Sequence, residues 1–195
     1  DEAYMTTKLN GRDTFFLPFN RGNKHGKGNP ELPPGEIGHK TNYLWNEVFT
    51  RESLANIIQH FVRLDGKKKD QLQTKTLFFP RYHQMDVVRR IIGHASKNGV
   101  GQTYLIQHSA GSGKSNSITW ANLKTPGNRG LEQPLFDSVI VVTDRRLLDK
   151  QIRENIADFS EVKNIIAPAY SSKELRESLE QGKKIIITTI QKFPF

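Results

Sequence analysis

Four β-branched residues stand in a row at Val139-Ile140-Val141-Val142, and three more at Ile185-Ile186-Ile187. A strand with one face in water alternates apolar and polar side chains. An unbroken run marks a strand covered on both faces, and sheets covered on both faces are parallel sheets flanked by helices. Helical patterns fill the intervals. "RRLLDKQIRENIADF" (145–159) repeats Leu148, Ile152 and Ile156 at steps of four, and "ELRESLEQG" (174–182) closes on Gly182. Upstream, "YHQMDVVRRIIGHAS" (82–96) places Met85, Val88, Ile91 and Ile92 on one side of a helix. "TYLIQ" (103–107) reads as a short apolar strand, and "KSNSITWANL" (114–123) as a helix stopped by Pro126-Gly127. Strands alternating with helices of this length build βαβ units. The expected class from residue 71 to 195 is therefore α/β with a parallel sheet.

Residues 1–70 follow a different grammar. "TFFLPFN" (14–20) has the makings of a short paired strand, and "RGNKHGKGNPELPPGEIG" (21–38) has no hydrophobic period and reads as a long loop. Helical spacing returns in "YLWNEVFTRESLANIIQHFVRL" (43–64), where Leu54, Ile57, Ile58, Phe61 and Val62 form one face. Ser53 is the candidate cap of a second helix inside that span. "DGKKKD" (65–70) closes the region as a polar turn. A small irregular α+β segment is expected here, ahead of the α/β domain.

Between the strand at 103–107 and the helix at 114–123 lies "HSAGSGKS" (108–115). It matches the phosphate-loop pattern G-x-x-x-x-G-K-[ST] except that His108 replaces the first glycine. That position lies where the strand ends, so its side chain need not face phosphate. Gly111 and Gly113 allow the backbone to turn N–H groups inward, toward the positive end of the following helix. On this reading Ser109, Ala110, Gly111, Ser112, Gly113 and Asn116 line a nucleotide triphosphate. Lys114 meets the β- and γ-phosphates, and the Ser115 hydroxyl ligates Mg²⁺. ATP and Mg²⁺ are the expected cofactors. Gln84 stands near the start of a helix upstream of the loop. A glutamine amide accepts from the adenine amino group and donates to a ring nitrogen at once, so Gln84 is the candidate base reader.

The net charge of +9 favours a polyanionic partner, with nucleic acid ahead of an anionic membrane surface. There is no cysteine, which excludes disulfides and thiolate metal sites and fits a reducing compartment. No stretch is apolar enough to span a bilayer, and "DEAYMTTKLN" is not a signal peptide. No membrane association is expected. The missing initiator methionine suggests a piece of a longer protein.

The segments "RYHQMDVVRRI", "QHSAGSGKSNSITW", "DSVIVVTDRRLLDKQI" and "IIITTIQKF" together resemble the R subunit of type I restriction–modification enzymes, a superfamily 2 helicase-like motor. "DEAYMTTKLNGRDTFFLPFNRG", "GNP" and "KTNYLWNEV" resemble the stretch joining that family's nuclease to its motor. The resemblance implies that residues 1–70 are the end of a nuclease domain with its linker. It implies that 71–195 are most of a first RecA-like lobe, stopping before the acidic Asp-Glu-x-His motif. It further implies an ATP-dependent site-specific deoxyribonuclease as the parent protein, with this piece inactive alone, in the cytoplasm of a bacterium or archaeon. Modification and specificity subunits would be its protein partners, and double-stranded DNA its substrate. In the family's fold one DNA strand runs along the C-terminal sheet edge, so Thr143, Arg145, Arg146, Thr188 and Thr189 are candidate backbone contacts. Asp144 also makes sense as a plain helix cap. Two other readings stay open: a phosphate-loop ATPase or kinase with no nucleic-acid role, and a nucleotide-binding regulatory module that never hydrolyses.

Overall fold

The computed structural model describes residues 1–24, 26–65, 71, 75–124, 136–144, 150, 152, 154 and 166–193. Two compact units divide the chain, Asp1–Asp86 and Val87–Phe195.

In the first unit, β1 (Tyr4–Met5) pairs antiparallel with β2 (Leu17–Pro18), Tyr4 opposite Pro18 and Met5 opposite Leu17. The strand element expected in 14–20 is therefore present but reduced to two residues, and Phe15 and Phe16 are exposed. Proline at this place is tolerated because a short edge strand has ladder positions that need no N–H. The loop from residue 21 has little ladder of its own, and the buried Asn29 amide serves in its place. Asn29 Oδ1 accepts from Arg21 N at 2.9 Å, and Asn29 Nδ2 donates to Asp1 O at 3.1 Å and Asn20 Oδ1 at 3.0 Å. A side-chain amide with two donors and two acceptor sites satisfies backbone groups that no strand can reach.

The helical span expected at 43–64 is broken in two. Leu44–Val48 forms one wide π turn, closed by Phe49 N donating to Leu44 O at 2.7 Å. Helix α1 (Arg51–His60) follows. Its cap is Thr50, not Ser53: the extended Thr50 accepts from Ser53 N at 3.3 Å. Ser53 lies three residues into the helix, where its own N–H is one of the orphan donors that a cap must satisfy. Ile57 and Phe61 are fully buried, whereas Ile58 of the expected apolar face is exposed. The chain then leaves the helix to form β3 (Arg63–Asp65), antiparallel to β4 (Thr76–Phe78) with Leu64 opposite Leu77.

Tyr43 is buried among these elements, and its hydroxyl donates to Phe19 O. Burial pushes this hydroxyl up to about 12. A folded value above the unfolded value of about 10 favours the neutral form, so the stabilisation is complete below pH ~10 and is lost as pH rises toward ~12. The loss is expected to reach at most about 2 kcal/mol. Chemical unfolding at pH 9 and pH 11.5 checks this: wild type should lose more stability across that interval than Tyr43→Phe. An equal loss would remove Tyr43 as the source.

Helix α2 (Tyr82–Asn98) begins in the first unit and has most of its length in the second. The second unit continues with α3 (Lys114–Lys124), β5 (Val139–Thr143), β6 (Ile166–Pro168), α4 (Ser172–Glu180) and β7 (Ile185–Thr189). The three strands make a parallel sheet in the order β5-β7-β6, with Thr143 beside Thr189 and Pro168 beside Ile187. The class is mixed α/β, compatible with part of a RecA-like fold. Ser171 caps α4 by accepting from Glu174 N at 3.1 Å, and Glu174 Oε2 accepts from Tyr170 N at 2.8 Å. This reciprocal pattern is close to a capping box.

All five residues of the central strand β7 are buried, as its unbroken apolar run requires. β5 departs from expectation: Val141 and Thr143 are buried, whereas Ile140 and Val142 are exposed at 39% and 46%. Among the described residues β5 lies at the edge of the sheet with one face less covered, and a run of branched residues carries no mark of which strand lies at the edge. The strand expected at 103–107 is absent. Among the described residues no strand pairs with it, and Leu105 is 93% exposed. A strand exists only through a ladder partner, and apolar content by itself does not supply one. The helix expected at 145–159 falls largely outside the described residues.

Candidate functional site

The phosphate-loop residues sit in a tight turn. Gly111 and Gly113 both take the left-handed conformation, at φ +72° and +81°. A side chain at Gly111 would meet no atom within 4 Å, so the demand for glycine there is conformational and not a matter of space. Ser112 N donates to Ser109 O at 3.3 Å across the turn. Helix α3 starts immediately afterwards at Lys114. The first N–H groups of any helix lack intrahelical partners and carry the positive end of its dipole. Here the helix starts directly behind two glycines, which puts the positive end of its dipole at the turn, and Asn116 N donates to Gly113 O at 3.0 Å within it.

The side chains follow that geometry. Ser109, Ala110, Gly111 and Lys114 are exposed, Gly113, Ser115 and Asn116 are half-buried, and Ser112 is buried. The Lys114 ammonium donates to His108 O at 3.0 Å and Ser109 O at 2.8 Å, which holds the charge across the mouth of the loop. The helix behind it is anchored: Trp120 and Thr119 are each 1% exposed, and Thr119 Oγ1 donates to Ser115 O at 2.9 Å. The loop thus sets exposed side chains on a fixed base, which suits a ligand that brings its own negative charge. These residues fit a triphosphate, with backbone N–H groups and Lys114 for the phosphates and Ser115 for an attendant Mg²⁺. Among the described residues no group of three His, Asp or Glu side chains gathers as a metal site.

Gln84 is held differently from a surface glutamine. It is 2% exposed, and its Oε1 accepts from Arg81 N at 2.9 Å, so the amide caps the first turn of α2. Thr143, Thr188 and Thr189 cluster at the C-terminal end of β5 and β7 but are buried, at 8%, 1% and 6% exposure. The Thr188 hydroxyl donates to Ala169 O at 3.2 Å. Gln191 Nε2 donates to Asp144 O at 3.2 Å, tying the turn after β7 to the end of β5. Arg145 and Arg146 lie outside the described residues.

Two features have no local signal in the sequence. His94 Nδ1 and Tyr104 OH lie 2.8 Å apart, with their rings edge to face, linking α2 to the run that enters the loop. In the first unit, Arg21 pairs with Glu47 and lies over the Tyr43 and Tyr82 rings. Arg21 and Tyr82 are 61 residues apart, and only a folded chain brings them together. A cavity of about 240 Å³ opens beside Arg21, but two of its cations are already matched within it, Arg21 by Glu47 and Lys40 by Glu31.

A strand–loop–helix order is only half met, but a glycine turn, a Lys-Ser helix start and a parallel sheet define a phosphate-loop nucleotide-binding protein. Residues 83–194 match the SWI2/SNF2 ATPase family model, and the chain belongs to that family. The matched region is a helicase-like, nucleotide-binding ATPase segment that includes Gln84, the whole loop and all three strands of the sheet. No curated protein and no solved structure matches the chain. Among the described residues no helix is long and apolar enough to cross a membrane.

Proposed function

We propose that this chain is the ATP-binding motor portion of a type I restriction endonuclease R subunit, which couples ATP hydrolysis to translocation along double-stranded DNA. The observation that carries the reading is the loop at 108–115, with Lys114 across its mouth and a helix start behind Gly111 and Gly113. Lys114 neutralises the β- and γ-phosphates, Ser115 holds Mg²⁺, and Gln84 selects adenine. Cleavage belongs to a nuclease domain mostly outside this chain. Sequence recognition belongs to the modification and specificity subunits, in a bacterial or archaeal cytoplasm. Support for the restriction role comes from "HSAGSGKSNSI" and "VVTDRR" in series and from the "FNRG" and "YLWNEV" text upstream.

A second reading, an ATPase without a nucleic-acid role, is favoured by the burial of Thr143, Thr188 and Thr189. A salt titration of duplex binding by the parent protein separates the two. Neutralising phosphates releases counterions, so affinity should fall steeply with salt and show no sequence preference. Arg145→Ala/Arg146→Ala should reduce the slope of log K against log salt by about 2. An unchanged slope would take the arginines off the DNA path. Absence of duplex binding by the wild type would favour the second reading.

A further inference from the structure

The first turn of α2 carries two side chains of interest, Tyr82 and Gln84. The backbone between them is continuous helix, with Met85 N donating to Arg81 O at 3.2 Å. Gln84 Oε1 is pinned by Arg81 N, so the amide moves with this turn. The turn itself is held through Tyr82, which is 7% exposed. Its ring packs edge-on against Phe19, with centroids 5.8 Å apart, and against Tyr43, at 5.1 Å. Its hydroxyl accepts from Arg21 Nε at 3.2 Å and donates to Glu47 Oε2 at 3.4 Å. Arg21 completes the arrangement by pairing with Glu47 and stacking over Tyr43 at 5.2 Å and Tyr82 at 6.0 Å.

We propose that Arg21 is a positioning residue for the Gln84 amide, so that the Gly/Pro-rich segment after residue 20 takes part in choosing the nucleobase. The inference rests on the base-reading role given to Gln84 above. Within this cluster of described residues, Arg21 satisfies Tyr82 and Glu47 together. Without it the Glu47 carboxylate faces the Tyr82 hydroxyl with no countercharge from Arg21, and the phenol loses its donor. Burial pushes the Tyr82 hydroxyl up, which keeps it a neutral phenol, and the Arg21 hydrogen bond offsets part of that push. A buried amide reads a base edge only from one orientation, because two hydrogen bonds must be straight at once. Small displacements of such a group are felt strongly. Arg21 is stiff enough to hold that orientation. Its backbone N–H is fixed on Asn29 while its planar guanidinium fork is held by Glu47 and two rings.

A residue that only anchored the fold would change ATP and GTP alike. A positioning residue changes their ratio. The experiment therefore measures the dissociation constants of ATP and GTP for the parent protein, by competition against a fluorescent nucleotide, together with thermal stability. Gln84→Ala is expected to lower the preference for ATP over GTP about ten-fold, and Arg21→Ala about three- to ten-fold. The double variant should be no less selective than Gln84→Ala alone, because both changes act on one contact. If Arg21→Ala does not fold, Tyr82→Phe replaces it. It removes only the hydroxyl that Arg21 bonds, and it should also lower the ratio. An unchanged ratio in folded Arg21→Ala, or in Tyr82→Phe where it stands in for Arg21→Ala, with the ratio shifted in Gln84→Ala, would make Arg21 a fold anchor and overturn the inference while the base-reading role stands. An unchanged ratio in Gln84→Ala itself would overturn the base-reading role and the inference with it.

Discussion

Lys114→Ala is expected to weaken nucleotide binding by the parent protein by at least about ten-fold and to abolish turnover. Hydrogen bonds to charged groups contribute about 1.5–3 kcal/mol, which is roughly ten- to 150-fold in a binding constant. On the role proposed for Lys114 at the phosphates, the effect on hydrolysis should lie at or above the upper end, because an ammonium there would offset charge that develops in the transition state. The structure adds a reason to expect the fold to survive. Lys114 is exposed, and its ammonium bonds the carbonyls of His108 and Ser109 in its own loop. Those carbonyls can bond water when the side chain is cut back. Nucleotide titration and steady-state hydrolysis, with thermal melting as the control, check the outcome. Hydrolysis at the wild-type rate in a folded Lys114→Ala protein would reject the loop as the site.

The largest stability effect is expected in the central strand. Ile186 is fully buried and packs with Ala169 and Leu175, while Ile185 and Ile187 pack with Val141 and Ile152 on the other side. β7 thus holds both cores of the sheet at once. Cutting isoleucine to alanine in such a place costs about 2–5 kcal/mol, from lost transfer energy and the cavity left behind. Ile186→Ala and Ile187→Ala should each destabilise by that amount. Their effects should be close to additive, because the two side chains face different clusters. Since a domain is stable by only about 5–15 kcal/mol, the double variant should be largely unfolded at physiological temperature. Ile140→Ala on the exposed side of β5 is the comparison, and it should cost less than about 1 kcal/mol. Urea unfolding of the three single variants and the double variant decides the matter. Equal losses at Ile140 and Ile187 would mean that both faces of β5 are covered in solution.

The loop and the helices were legible because their information is local. Glycines at 111 and 113, lysine and serine next, and a helix start behind them are all within a few residues of one another, and each has its own conformational reason. The same holds for α2, whose apolar period lies within its own length, and for α4, which ends just before the closing Gly182. The central strand was legible too, since a run such as Ile185-Ile186-Ile187 is best placed between two layers. What depended on partners was not. "TYLIQ" looks like a strand, yet only a ladder neighbour makes one, and nothing in five residues states whether that neighbour is present. Ile140 and Val142 belong to an unbroken apolar run, but the edge position of β5 leaves one side exposed. Ser53 read as the cap, but the extended backbone at Thr50 and its bond from Ser53 N put the cap three residues earlier. Gln84 was visible as a residue type, but its burial and its bond to Arg81 were not. Arg21 was invisible as anything beyond a loop cation. Its pairing with Glu47 and Tyr82 joins residues far apart in the chain, and such contacts follow from the packing of whole elements rather than from any neighbour in sequence.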